Sequence, residues 1–480
     1  MRTNYTEIRH PQFKILSEDQ IKDLHYATLE LLESTGIKVN NQEAIELLDG
    51  AGAHIDDNNT VKIPSFLVEE AIRTAPSRVV VSDREGNRKI QLEEYRSYFG
   101  GESSNINIMD LETGNPRACK REDVRRLAIL HDYLPRMDFM MMLGQLSDVA
   151  EKARKRVEFK EILLNSTCTP LVGSDPSLKD VDSILEMAAL VAGSYKNLEE
   201  NPFVIFYNEP ISPLIHDHGL TIALKVAEYG LPIVYTPMPI GGATAPLTFA
   251  GNLVLNNAEC LSGLTIIQLK KKGAKTIYGG IPSPMDMRTM IYPYGAPELS
   301  LLCSAMAEMG KFYGLPVYGT AGCGDSKSLD SQTGVEFSFS SIFQCLSGAN
   351  LIHDVGLIDH ANICSLEAHL LMDEIIGMLE HVMQGIEIND ITLALDTIAE
   401  VGPGGNFVDT ENTYENFKNI WQPRWFDKSF YEKWKAAGEV TLKERLNQEV
   451  KEIISNHQPK KLSADKIKEL DRMEESWLKE

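Results

Sequence analysis

Eight short apolar runs, each closing in glycines and polar side chains, recur through the middle of this chain, and few folds can absorb that rhythm. They occupy residues 97–102, 138–148, 170–175, 202–210, 232–246, 275–286, 316–327 and 350–360. Stretches long enough for a helix, such as 178–195 and 296–313, separate most of them. Strand, then helix, eight times over predicts a single (β/α)8 barrel. The barrel is expected over 96–390, with an N-terminal helical cap over 1–95 and a C-terminal extension over 391–480. In such a barrel the chemistry sits where the strands end. The residues that close each run are therefore the ones to weigh.

The flanking segments read differently. Ser17 followed by Gln20 has the form of a capping box, apolar residues continue at helical spacing to Leu32, and Gly36 ends the helix. A second helix is expected over 42–51 and a third between Pro64 and Pro76, followed by a hairpin of 78–81 with 89–92. Packing is the expected role of this whole cap. All four tryptophans, 421, 425, 434 and 477, fall in the extension. Its last forty residues are charged and helical in pattern, and are expected to clasp a neighbouring subunit of a homo-oligomer.

Composition excludes several partners. Sixty-nine acidic against 47 basic residues give a net charge of −22, which disfavours nucleic acid and anionic membrane. No unbroken apolar span reaches about 20 residues, and the first residues lack the apolar core of a signal peptide. A soluble cytoplasmic protein is the expectation. The seven cysteines are dispersed without a CxxC pair, which suits reduced thiols and argues against a protein-bound metal.

The strand ends collect an unusual mixture. Aromatic rings come from Tyr98, Phe99, Phe206, Tyr207, Tyr235, Tyr278, Tyr292 and Tyr294, and carboxylates from Glu102, Asp148, Asp175, Glu209, Asp286 and Asp325. His353 and Asp354 lie on the eighth run, and glycines crowd the last three runs, where they would let a ligand approach the backbone. Rings with nearby acids suit a cationic, poorly hydrated ligand. Neither GxGxxG nor a phosphate-loop motif is present. Lys327 is the one lysine well placed for a lyase or aldolase.

Three segments carry a resemblance. Gly319-Thr320-Ala321-Gly322-Cys323-Gly324-Asp325-Ser326-Lys327, Met238-Pro239-Ile240-Gly241-Gly242-Ala243-Thr244-Ala245-Pro246 and Gly402-Pro403-Gly404-Gly405-Asn406-Phe407 resemble the trimethylamine methyltransferase superfamily, as does the first helix with its Ser34-Thr35-Gly36-Ile37 end. The resemblance covers about residues 15–440. It implies a (β/α)8 barrel that passes a methyl group from a methylamine to the cobalt of a separate corrinoid protein. The founding trimethylamine enzymes carry pyrrolysine, whereas this chain contains only the twenty standard residues; 319–327 is the segment assigned to that position. Members without pyrrolysine resemble demethylases of quaternary amines such as glycine betaine, whose methyl departs from an already charged nitrogen.

The expected site follows. Tyr98, Phe99, Tyr207, Tyr235 and Tyr278 wall a quaternary ammonium, and His353, Asp325 and Glu209 are the polar groups at the reacting centre. A carboxylate on the substrate would be met by Arg288, by His353, or by backbone N–H groups at Gly241 and Gly242 or Gly322 and Gly324. Gly241, Gly242 and Gly324 are also the positions expected to face the corrin. The cobalamin is carried by a cognate corrinoid protein or supplied free, and no metal is bound by the chain's own side chains. The alternatives are trimethylamine itself as substrate, a barrel lyase or aldolase, and a binder of quaternary amines without turnover.

Overall fold

Each of the eight runs contributes one strand to a closed parallel barrel. The computed structural model describes residues 10–101, 107–173 and 176–479, so Glu102 and Asp175 lie outside the described residues. The strands are β1 (Tyr98–Gly101), β2 (Phe139–Met141), β3 (Thr169–Val172), β4 (Ile205–Asn208), β5 (Ile233–Tyr235), β6 (Thr276–Gly279), β7 (Val317–Thr320) and β8 (Leu351–Val355). They hydrogen-bond in chain order, and β8 closes on β1. The helices that follow them are α1 (Arg121–Tyr133), α2 (Arg154–Asn165), α3 (Leu178–Ala192), α4 (His218–Glu228), α5 (Phe249–Lys270), α6 (Pro297–Phe312), α7 (Ser331–Ser347) and α8 (Leu366–Met383).

Alternation along each strand divides its side chains between the lumen and the helix layer. Phe139, Leu171, Ile205, Val234, Ile277 and Leu351 fill the lumen. The expected hairpin, Val79–Val81 paired antiparallel with Ile90–Leu92, plugs its lower end, because Val79, Val81, Ile90 and Leu92 join the same apolar cluster. With that end sealed, access is left to the C-terminal mouth. The opposite parity (Met140, Phe206, Ile233 and Val317 among them) joins the larger cluster shared with the helices.

The N-terminal segment forms as read: a capping box at Ser17 and Gln20 starts helix Glu18–Ser34, and further helices cover Gln42–Gly50 and Ser65–Thr74. Its role exceeds packing. Strand Ile37–Val39 pairs in parallel with Ile215–His216, so the cap holds the β4–α4 loop at the mouth. Two other loop pairs are joined there. Asn107–Met109 pairs with Ile363–Cys364, knitting the β1–α1 and β8–α8 loops, and Ile240–Gly241 pairs with Ser283–Pro284, joining the loops after β5 and β6. Among the described residues no helix is long and apolar enough to cross a membrane.

The last helices, Leu442–Asn456 and Ala464–Lys479, fold back on the chain's own barrel, the first against α1 and α8 and the second against α2 and α3. Leu446, Val450, Leu470 and Trp477 are buried there. A charge network fixes the last helix. Lys160 Nζ, 3 % exposed, donates to Asp471 Oδ1 at 2.6 Å and Glu474 Oε2 at 2.5 Å, while Arg121 Nη1 donates to Glu474 Oε1 at 2.5 Å. Burial opposes ionisation of Glu474, but Arg121 and Lys160 outweigh it and hold the carboxyl below its usual range. Removing one partner of a buried ion pair leaves the others uncompensated and costs about 3–5 kcal/mol in favourable cases. Lys160→Met is accordingly expected to destabilise the protein by about 2–4 kcal/mol in denaturant titrations. A depressed carboxyl contributes above its unfolded pKa and loses its contribution as pH falls. Trp477 fluorescence in the wild type should therefore report release of this helix on acidification, at higher pH in the variant.

Candidate functional site

The upper lumen is built by strands β4, β7 and β8. Tyr207 and Tyr318 face each other with ring centroids 5.4 Å apart, and the His353 ring stacks on Tyr318 at 4.4 Å and on Tyr207 at 6.4 Å. His353 Nδ1 lies 2.8 Å from the Gly319 carbonyl oxygen, and Nε2 lies 3.1 Å from Asp354 Oδ2, which also accepts from Thr320 Oγ1 at 2.8 Å. A carbonyl only accepts, so Nδ1 carries a hydrogen and Nε2 is left facing the Asp354 carboxyl. Both residues are buried.

Asp354 is held in an unusual backbone. Its φ is +69°, in the left-handed region, where the register between β8 and β1 shifts. A bulge with a non-glycine residue at positive φ costs of order 1–3 kcal/mol and re-aims a side chain, a combination that clusters at functional sites. Tyr292 and Tyr294, from the β6–α6 loop, pack edge to face at 4.9 Å. Burial raises the phenols of Tyr207, Tyr292, Tyr294 and Tyr318, and the Asp354 charge raises each further. All four phenols thus lie within electrostatic reach of one buried acid.

The sequence-derived residues distribute unevenly around this centre. Tyr207, Glu209 and His353 are brought together, since Tyr207 Oη donates to Glu209 Oε2 at 2.8 Å where β4 ends. Glu209 is exposed and lines a cavity of 540 Å3 with Ser212, Asp217, His218, Met238 and Thr244. Tyr98 opens β1 rather than closing it, so it lies at the base of the barrel, and Phe99 turns outward beside it. Tyr235 and Tyr278 also turn outward. Glycines on the following helices make room for them: a Cβ at Gly263 would collide with the Tyr235 ring, and one at Gly310 would press on the Tyr278 ring at 3.0 Å. Tyr278 Oη donates to Asn257 Oδ1 at 2.7 Å. These four rings do not join Tyr207 in a cage.

Asp325 acts as a clamp between loops. Its Oδ1 accepts from the Tyr294 amide at 2.8 Å and pairs with His360 Nδ1 at 2.7 Å. Lys327 Nζ lies 3.0 Å from His360 Nε2 and 3.4 Å from Asp359, on the outer side of this clamp and 61 % exposed. A lyase lysine in the lumen is therefore not what Lys327 provides. The backbone amides expected to receive an anion are engaged inside the protein: Gly322 N–H donates to Ser340 Oγ, Gly324 N–H to the Leu357 carbonyl and Gly242 N–H to the Ala245 carbonyl. Gly241 lies in the strand pair joining the loops after β5 and β6, and Arg288 is exposed above them. Gly280, just after β6, and Gly319, in β7, admit protein rather than ligand, since a Cβ at either would strike Asn256 or Gln344 respectively. Burial pushes the Cys303 and Cys323 thiols far up, so neither offers a thiolate.

The profile of the trimethylamine methyltransferase (MTTB) family matches residues 1–474. The chain belongs to that family. It is 34 % identical over 449 residues to the trimethylamine methyltransferase MttB of Desulfitobacterium hafniense, covering 93 % of this chain and 90 % of the relative. The trimethylamine methyltransferase MttB of Methanosarcina barkeri is 28 % identical, covering 96 % and 94 %, and the glycine betaine methyltransferase of D. hafniense Y51 is 28 % identical, covering 95 % of each. The resemblance read from the three motifs is thus confirmed, and the chain is a methyltransferase of the methylamine and betaine type.

Sequence reasoning passed over Tyr318. Period-two spacing from Thr320 places it on the lumen side of β7, a signal masked by the glycines around it. In this trimethylamine methyltransferase family member, Tyr235 serves stability instead. Its hydroxyl donates to His216 Nδ1 at 2.9 Å, while His216 Nε2 donates to Ser262 Oγ, and burial lowers the imidazole to about 3. Tyr235→Phe strands a buried acceptor and should cost about 1–3 kcal/mol in unfolding free energy, with methyl transfer unchanged in the folded variant.

A second buried acid sets the mouth. Glu259, on α5, accepts from Ser212 Oγ at 2.8 Å and from the Leu214 amide at 2.6 Å, holding the β4–α4 loop, and burial raises its carboxyl to about 7. A group raised in the folded state keeps a proton that the unfolded chain releases above about 4.5, so stability falls as pH rises from there to about 7. Glu259→Gln keeps an acceptor and removes the titration. Relative to wild type it should gain up to about 3 kcal/mol of unfolding free energy between pH 5 and pH 8, measured by denaturant melts at both.

Proposed function

We propose that this chain transfers a methyl group from a quaternary ammonium of the glycine betaine class to Co(I) of a separate corrinoid protein. The carrying observation is the buried His353–Asp354 pair, with the His353 ring stacked on Tyr318 and Tyr207 and the Tyr292–Tyr294 pair on the β6–α6 loop. Cobalt, when its carrier is docked, supplies the nucleophile. The C–N bond breaks with its electron pair left on nitrogen, so the departing amine is neutral and no proton has to move. That balance suits a lumen with no thiolate, and it suits a chain of twenty standard residues, because an ammonium needs no further activation.

The chain's own task is to orient and to desolvate. Tyrosine faces attract a cation by about 0.5–2 kcal/mol each, depending on solvation. The charge fades from nitrogen on the way to the transition state, so an unpaired carboxylate beside it would stabilise the ground state and slow the step. A carboxylate that already faces an imidazole, as Asp354 faces His353, carries less of that penalty. Glu209, joined to Tyr207, lines the way in from the 540 Å3 cavity. Arg288, above the mouth, is the guanidinium for a substrate carboxylate.

The test is methyl-cobalt formation from Co(I) cobalamin, followed by absorbance, with glycine betaine, carnitine, proline betaine, tetramethylammonium and trimethylamine offered separately. Turnover of at least one quaternary amine is expected. Tyr318→Leu and Tyr207→Leu should each weaken its binding about 2- to 30-fold, the range set by one cation–ring contact. Arg288→Ala should weaken the betaines but not tetramethylammonium. Turnover of trimethylamine alone, or full affinity in both tyrosine variants, would overturn the proposal.

A further inference from the structure

Between Glu380 and Arg445 a single residue, Trp425, is buried. The chain leaves the lower end of α8 at Gln384 and returns to the barrel where the Arg424 and Trp425 amides donate to Glu374. The arm between carries large apolar side chains in the open, with Ile386 86 %, Ile391 84 % and Leu395 67 % exposed. Its helices, Leu395–Val401 and Glu411–Asn416, bury nothing. Helices this short are not stable in water without a surface to pack on.

The same chain offers such a surface. On the outer side of α7, Val335, Phe339 and Ile342 lie at helical spacing and are 68 %, 40 % and 37 % exposed. On neighbouring α8, Met378 and Val382 are exposed as well. The one charged residue of α7, Glu336, turns inward and accepts from the Asp325 and Ser326 amides. A barrel helix with no charge on its solvent side is conspicuous in a protein of net charge −22. Single exposed apolar residues need no explanation, but a contiguous strip marks an interaction surface.

We propose that residues 384–423 of one chain pack on the α7 face of a second copy. The charges agree. Seven carboxylates and one lysine fall within 385–423. They would meet a helix face without charge whose lower end is flanked by the exposed Lys14, next to Phe13, which hydrogen-bonds to Leu346. Forty residues of arm are ample for one side of a stable interface, which takes about 20–30 residues. A methyl-accepting protein is a poorer occupant, since it must reach the mouth while the arm departs from the opposite end of α8. The glycines at 402, 404 and 405 supply the bend that such a crossing requires.

Sedimentation velocity from about 1 to 50 μM tests this, with circular dichroism to verify folding. Wild type is expected to sediment as a dimer or larger assembly. Val335→Glu with Phe339→Glu, and separately Ile391→Asp with Leu395→Asp, should each weaken assembly at least 100-fold. An equimolar mixture of the two variants should recover association, because each supplies the surface the other lacks. A monomeric wild type, α7 variants that assemble normally, or a mixture that recovers nothing would overturn the proposal. A photo-crosslinking amino acid at Phe339, in mixed 14N and 15N chains, gives an independent readout. Inter-chain products within 384–423 are expected, and intra-chain products alone would overturn it.

Discussion

A barrel of eight strands leaves room in its lumen for only a few layers of side chains, and here the lowest layer is given up to a hairpin. With Val79, Val81, Ile90 and Leu92 closing that end, the apolar middle layer is a floor and the top layer is the candidate site. Everything the mouth can do therefore falls to Tyr207, Tyr318, Thr320, His353 and Asp354, with the loops that lean over them. Alternation admits one residue in two from each strand, so the choice of parity at β4, β7 and β8 decides the chemistry.

The pair at β8 shows how a buried acid is seated in a barrel. Nδ1 of His353 is fixed to the Gly319 carbonyl, which turns Nε2 toward Asp354. The left-handed backbone at Asp354 lets one carboxyl meet both that ring and Thr320.

The strands were legible because glycine and proline punctuate every run, and the capping box at Ser17 was legible because it is local. Parity was not legible. Parallel barrel strands are apolar on both faces, so Tyr235 and Tyr278 look no different in sequence from Tyr207. The deciding feature sits on other elements, in helix glycines such as Gly263 and Gly310 that leave space for a ring on the outer side. The family was legible from three motifs, yet two of those motifs turn out to build loops and clamps: Gly242 and Gly324 spend their amides on neighbouring carbonyls, and Asp325 binds two loops together. The final helices were legible as helices, but the buried Lys160 network that seats the last of them on the barrel was not, because a charged face looks the same in sequence whether it meets water or ion-pair partners.

The loops over the mouth are joined in pairs: β1–α1 with β8–α8, β5 with β6, and β4–α4 with the N-terminal Ile37–Val39 strand. A loop bound into such a pair cannot lengthen or shift alone without breaking the ladder it shares. Divergence toward a different amine would thus proceed by coordinated exchange of whole partners. The piece to transplant along with the β4–α4 loop is a segment lying more than a hundred residues earlier in the chain.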